Sequence, residues 1–450
     1  MTFFRSGQTL ALLGVVALST VVQAVGIDGA LYVCDSSGDR VVRLVDRNGS
    51  GFVELDAPGE ITVFYDDLSA GPDLSNPSHM AAGPAGSLLL LDGGTLDAVF
   101  RLDDKNRDGD AQDEGEISVF YDVSAGGPKL STANTLVAAP DGSYYVSDDG
   151  SGAHRILKLK DVNSDGDALD PDEAKIVYDA SALSLPVLDD MESLAVAPDG
   201  AVFVGDTKLQ AIFRLADLTG DGDFLDEGEL KLFHQTAGDL LLADIDSLAL
   251  DSGAVLACDN DTGRILRLLD KNGDGDAADD GEATLWLDAT SSVKVGSVND
   301  LLIVPGFGAL VLDNTKDAVV ALVDASSDGD VIDAGESYRW LVDDGSTFAT
   351  PSGIVLLPLS EEPPPLPEFL RGDSTGDGKL DISDPVTTLG YLFLGKTASP
   401  CIDTLDADDS GVVNISDPIY ALNYLFAGGA APPAPFPQPG PDLTADTLNC

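Results

Sequence analysis

Short apolar runs alternate with polar turns along this chain, and the alternation itself recurs. One copy reads Leu194–Ala197, the turn Pro198-Asp-Gly200, Val202–Val204 with Asp206, Ala211–Leu215, an acidic loop, and Leu230–Phe233. Runs this short, rich in β-branched and aromatic residues and divided by Gly, Pro and Asp, predict strands. The acidic loops start at Asp46, Asp104, Asp161, Asp217, Asp270 and Asp324, so the steps are 58, 57, 56, 53 and 54 residues. A period of this size calls for a repeat architecture before any other.

Four antiparallel strands per unit predict one blade of a β-propeller. The second strand occurs six times, at Leu31–Val33, Leu88–Leu91, Tyr144–Val146, Val202–Val204, Val255–Ala257 and Ala309–Leu312. The chain thus enters on a second strand, and an extra innermost-type run, Gly353–Leu357, follows the last unit. The two ends complete one shared blade, which closes the ring and leaves no open sheet edge. The fold class expected is mainly β: a six-bladed β-propeller over residues 27–358, with a small C-terminal α-helical domain. The phrases Leu31-Tyr-Val-Cys-Asp35 with Arg40-Val-Val-Arg-Leu44, and Val255-Leu-Ala-Cys-Asp259 with Arg264-Ile-Leu-Arg-Leu268, resemble NHL-type six-bladed propellers over that span.

Proline clustering at 359–369 marks a semi-rigid linker. A different repeat follows, with Asp373–Gly395 recurring at Asp406–Gly428, an offset of 33. The Pro-rich tail 429–450 is expected to wrap this module. At the other end, Arg5, the apolar Leu10–Val21 and Val22-Gln-Ala24 make residues 1–24 a cleavable export signal. The chain is then secreted, extracellular or periplasmic, with no membrane span after cleavage. Cys34 and Cys258 read as buried thiols, and Cys401 with Cys450 as the disulfide an oxidising compartment permits.

The chain of 450 residues carries a net charge of -54 with 44% hydrophobic residues. So much acid in a folded object demands counter-cations and excludes nucleic acid or an anionic surface as partner. The acidic loops show where cations would sit. Each sets oxygens at positions 1, 3, 5, 7, 10 and 13, with Gly at 6 for the bend. The sets are Asp104, Asn106, Asp108, Asp110, Asp113 and Glu116; Asp161, Asn163, Asp165, Asp167, Asp170 and Glu173; and Asp217, Thr219, Asp221, Asp223, Asp226 and Glu229. Two more follow: Asp270, Asn272, Asp274, Asp276, Asp279 and Glu282; and Asp324, Ser326, Asp328, Asp330, Asp333 and Glu336. This is EF-hand spacing with the last two acids one residue late, and calcium tolerates such variation better than magnesium. In the copy at Asp46, Ser50, Phe52, Leu55 and Pro58 stand at ligand positions, so that site is expected to be empty.

The C-terminal module keeps strict EF-hand spacing. Its loops offer Asp373, Thr375, Asp377, Lys379 (through its carbonyl), Asp381 and Asp384, then Asp406, Asp408, Ser410, Val412 (through its carbonyl), Asn414 and Asp417. Pro385 and Pro418 each open a helix. Two such loop–helix units resemble a type I dockerin over residues 370–428. The resemblance implies a cohesin-like scaffold protein as partner, with Ile382, Ser383, Ile415 and Ser416 at the recognition positions, and a link to polysaccharide catabolism.

Aligning the innermost strands places one residue per blade at the channel mouth: Ser78, Asn134, Glu192, Asp246, Asn299 and Ser352. Asn134, Glu192, Asp246 and Asn299 are similar to the channel metal site of lactonase-type propellers, where calcium polarises the substrate carbonyl. His79 adjoins them as a candidate base, and Glu192 and Asp246 are the candidate catalytic acids. His154 and His234 carry no constellation. Two functions follow: a calcium-binding propeller that binds or displays a glycan or small molecule and is anchored through its module, or a secreted hydrolase.

Overall fold

A computed structural model describes residues 27–66, 71–94, 97–122, 124, 127–150, 154–182, 188–342, 347–359, 369–396, 401–440 and 448. The expected export signal, most of the linker and Cys450 lie outside them. The chain divides into two compact units, Met1–Ser360 and Glu361–Cys450.

The first unit is a six-bladed propeller in which every blade is a four-stranded antiparallel sheet. The blade that closes the ring joins β24 (Pro351–Leu357) to β1 (Ala30–Asp35), β2 (Arg40–Leu44) and β3 (Ile61–Asp66). Blade two holds β4 (Pro77–Ala82), β5 (Leu88–Asp92), β6 (Ala98–Leu102) and β7 (Ile117–Tyr121). Blade three holds β8 (Ala133–Ala138), β9 (Tyr144–Asp148), β10 (Arg155–Leu159) and β11 (Ala174–Asp179). Blade four holds β12 (Met191–Val196), β13 (Val202–Asp206), β14 (Ala211–Leu215) and β15 (Leu230–Gln235). Blade five runs β16 (Ser247–Asp251), β17 (Ala254–Asp259), β18 (Arg264–Leu268) and β19 (Ala283–Leu287). Blade six runs β20 (Val298–Val304), β21 (Gly308–Asp313), β22 (Ala318–Leu322) and β23 (Ser337–Val342).

The sequence-predicted closure is present: β1 pairs antiparallel with β24, with Leu31 opposite Leu356 and Val33 opposite Ile354. Second strands are buried on both faces because neighbouring blades cover them, which is why β5 reads Leu-Leu-Leu-Leu-Asp. Outermost strands are half solvated, and β15 buries only Phe233 and His234. In all six blades the register between third and fourth strands slips by one residue, as at Ile212/Phe213 and Val99/Phe100. Such a bulge adds local twist, here where each blade turns outward. Six apolar clusters fill the six joints between blades. That between blades two and three, for example, packs Phe120 edge-on against Tyr144 at 5.5 Å.

Each second strand ends in a buried Asp: Asp35, Asp92, Asp148, Asp206, Asp259 and Asp313. The carboxylates of five of them bind backbone N–H groups of the segment that enters an innermost strand. Asp35 accepts from Thr350, Asp92 from Ser75, Asp148 from Ser131 and Thr132, and Asp206 from Asp189. Asp313 likewise accepts from the Gly296 N–H, whereas Asp259 instead accepts from Thr262 Oγ1. A carboxylate taking several N–H bonds is satisfied without a solvent shell, so the repeated Asp pins the strands that line the axis.

The second unit contains α1 (Ser383–Leu394) and α2 (Ser416–Leu422), the latter extended by a π turn at Asn423–Ala427. Segment 430–440 lies against this unit: Phe369 pairs with Gly440, and Tyr424 meets Phe436 edge-on at 5.4 Å. Cys34 and Cys258 are buried free thiols, and Cys401 is disulfide-bonded. Among the described residues no helix is long and apolar enough to cross a membrane.

Candidate functional site

Three kinds of acidic site are built on this frame. The first are the hairpins, each joining the third strand of a blade to its fourth. In Asp104–Glu116, Asp104 Oδ2 accepts the Gly109 N–H at 3.1 Å, and Asn106 Oδ1 accepts that of Asp108 at 2.9 Å. Gly109 has φ 103°, open to glycine and costly for other residues. The closing Glu116 is buried and takes N–H bonds from Lys105, Asn106 and Asp113. The other four loops repeat this pattern through Glu173, Glu229, Glu282 and Glu336. Asp104 Oδ1 is buried with no hydrogen-bond partner, and burial raises the pKa of Asp104, Asp110 and Asp167. In two loops three carboxylates already stand within 4.8 Å of one another: Asp165, Asp167 and Glu173, and Asp324, Asp328 and Glu336.

The first copy differs from its sequence expectation. Glu60, not Pro58, closes the loop: it is buried and accepts the Asn48 and Glu54 N–H groups. Glu54 receives the Asn48 side-chain amide at 2.9 Å, as Asp113 receives that of Asn106 at 2.6 Å. A two-residue insertion moved the closing acid out of register, while Ser50 and Phe52 remain at positions 5 and 7.

The hairpins also bind the blades together. The residue at position 8 buries its side chain and donates its N–H to the outermost strand of the preceding blade. The pairs are Ala111 to Phe64, Ala168 to Phe120, Phe224 to Val177, Ala277 to Phe233, Val331 to Trp286 and Val53 to Trp340, at 2.7–3.0 Å. Every joint of the ring carries one such bond.

The second site is axial. Ser78, Asn134, Glu192, Asp246, Asn299 and Ser352, the column aligned from sequence, all line one cavity of about 260 Å³ with His79. Within reach of a single ion are Glu192, Asp246 and a residue missed by that alignment, Asp244. Glu192 is pushed up to about 9 by burial, by its hydrogen bond to Asp246 and by the surrounding carboxylates. Asp246 is also raised, to about 6, chiefly by burial. Without a cation the two carboxyls hold a proton between them. Asn134 turns its amide nitrogen to Asp149 at 3.2 Å, and Asn260 donates to Asp246 while accepting from Ser297. The residue following the second-strand Asp thus props the axial groups in blades three and five. His154, for which no partners were expected, lies between Asp149 at 3.1 Å and Asp189 at 3.4 Å. Burial lowers the pKa of His79, opposed by the carboxylate of Asp300, and its Nδ1 has no hydrogen-bond partner.

The third site is the loop pair of the second unit. Asp373 Oδ2 accepts the Gly378 N–H and Asp406 Oδ2 that of Gly411, both at 2.7 Å. The loops part company at their last carboxylates. Asp384 Oδ1 receives the hydroxyl and N–H of Thr375. Asp417 has Asp408 at the matching position, so its Oδ1 is fully buried without a donor. Asp406, Asp408 and Asp417 offer oxygens within 4.8 Å of one another, and Asp417 is pushed up to about 7, first by burial and then by Asp406. A buried oxygen facing two further carboxylates fits a cation.

No protein-family model matches the chain, and no curated protein matches it. Among solved structures it is similar to a chain of the nidogen/laminin complex at 14% identity, covering 73% of this chain and 97% of that one, with a TM-score of 0.48. A gluconolactonase from Xanthomonas campestris is 18% identical over 64% of this chain and 83% of its own, at a TM-score of 0.41. Virginiamycin B lyase from Staphylococcus aureus is 14% identical over 64% and 74%, at 0.40. Likeness at this level carries no conclusion about chemistry.

Proposed function

We propose that this chain is a secreted calcium-binding propeller that displays or binds a ligand and is anchored through a dockerin-like module. The observation that carries the reading is Asp417, a buried carboxylate with one oxygen left without a donor and facing Asp406 and Asp408. A divalent cation there would satisfy that oxygen and cancel the repulsion. The same chemistry recurs in the hairpins, where cation binding would strengthen the joints. Docking is supported by a duplicated apolar surface: Ile382 and Ile415, Val386 and Ile419, and Phe393 and Phe426 are exposed at the same offset of 33. Equilibrium dialysis of the full chain against calcium is expected to show several bound ions, and Asp417→Asn to lose one of them. No binding at about millimolar calcium contradicts the reading. Calcium-dependent capture of a purified cohesin domain, abolished by Phe393→Asp with Phe426→Asp, tests the anchor.

The axial cavity favours a second reading, a hydrolase. A cation held by Glu192, Asp244 and Asp246 would supply Lewis acidity to a carbonyl oxygen in the cavity, with His79 in the wall to take a proton. Hydrolysis of a lactone panel, lost in Glu192→Gln, tests it; equal rates in the two proteins exclude it.

A further inference from the structure

The two loops of the second unit are related by repetition yet held differently, and the difference centres on Arg371. This side chain is fully buried. Its guanidinium donates to the carbonyl of Asp406, the first residue of the second loop, at 3.2 Å. It also pairs with Asp409 at 3.0 Å and Asp403 at 3.4 Å. Its Nε donates to Ala434 O at 2.8 Å and its backbone N–H to Pro435 O at 2.9 Å. The ring of Phe369 lies 5.3 Å from the guanidinium carbon, and Phe369 is itself paired with Gly440. One planar fork therefore joins the second loop to segment 430–440, a geometry a lysine does not reproduce.

Among the described residues the first loop has no matching device. At the offset of 33, Arg371 corresponds to Thr404, whose hydroxyl turns to Cys401 O. Position 4 tells the same story. The first loop has Gly376 there at φ 73°, while the second has Asp409 at φ 56°. A non-glycine residue there is strained, though Asp less than most, and the ion pair with Arg371 holds Asp409 in place. Asp403 and Asp409 are not at ligand positions, so the guanidinium neutralises them and leaves Asp406, Asp408 and Asp417 to the cation.

We propose that Arg371 is the positioning residue of the second loop, holding it with the Pro-rich segment in its cation-binding form, so that this loop is the tighter of the module's two sites. Pre-paid ordering of a site appears as affinity, and groups behind metal ligands typically contribute about 10–100-fold. This rests on the reading of both loops as calcium sites.

Hydrogen exchange of the full chain, followed by mass spectrometry over a series of free calcium concentrations, reads the loops separately. In the unmodified protein peptides over 406–427 are expected to become protected at lower calcium than those over 373–394. Arg371→Gln is expected to raise the 406–427 midpoint about tenfold and the 373–394 midpoint less than about twofold, with Arg371→Lys recovering only part of the loss. Asp409→Gly relieves the backbone while deleting the ion pair, and leaves the buried arginine in place should Arg371→Gln not fold; it is expected to raise the 406–427 midpoint too. Equal movement of both loops, no movement, or a lower midpoint in Asp409→Gly overturns the proposal. If calcium protects neither loop of the unmodified chain, the calcium reading itself fails.

Discussion

At the residue scale, single carboxylates do most of the organising in this protein, in two opposite ways. Those satisfied by N–H groups are structural. Asp206 takes the N–H of Asp189 and Leu209, and Asp206→Ala strands these donors in a buried place, which is expected to cost about 1–3 kcal/mol in denaturant unfolding. Asp300 bonds Ser247 in blade five, its neighbour Leu301 in blade six and Ile354 of the closing strand, tying three innermost strands at the axis. Those that face one another, such as Glu192 and Asp246, are where a proton or cation is held. Both are raised on folding, so the folded chain binds more protons than the unfolded one. Their contribution to stability is complete below about pH 4 and is lost as the pH rises through their folded values, up to about 9. In chelator, the melting temperature is therefore expected to fall between pH 5 and 9, and Glu192→Gln to fall less steeply; identical slopes would mean that the pair shares no proton.

At the element scale, the hairpins set the relation between one blade and the next. Asp270→Ala opens the loop whose Ala277 holds Phe233 of blade four. Exchange of the amides in Leu230–Gln235 is then expected to accelerate along with that of the loop, and a change confined to 270–282 would show that the bond transmits nothing. The strands, their order and the closing pair of β1 with β24 were readable because each repeats an apolar run between turn residues. The same alignment gathered the axial column, since one position per innermost strand faces one cavity. What it missed does not repeat in every blade. Asp244 stands two residues before Asp246, where among the other blades only blade four has an acid, Asp190 before Glu192; Glu60 was displaced by an insertion, and Asn260 acts across a joint on Ser297, 37 residues away. Arg371 gave no signal because its partners are backbone carbonyls and acids at non-ligand positions.

At the scale of the whole molecule, a net charge of -54 must be reconciled with a closed ring. Acid concentrated in hairpins at every joint repels when bare and binds neighbouring blades when neutralised, so cations and ring closure should be lost together. A chain ended before Pro351 leaves β1 unpaired at a sheet edge, and is expected to aggregate or to lose its cooperative transition. The most direct test of this account is scanning calorimetry of the full chain in millimolar calcium and in excess chelator. Several sites each contributing a few kcal/mol predict a melting temperature lower by at least about 10 °C in chelator. Transitions that coincide within about 2 °C would contradict it.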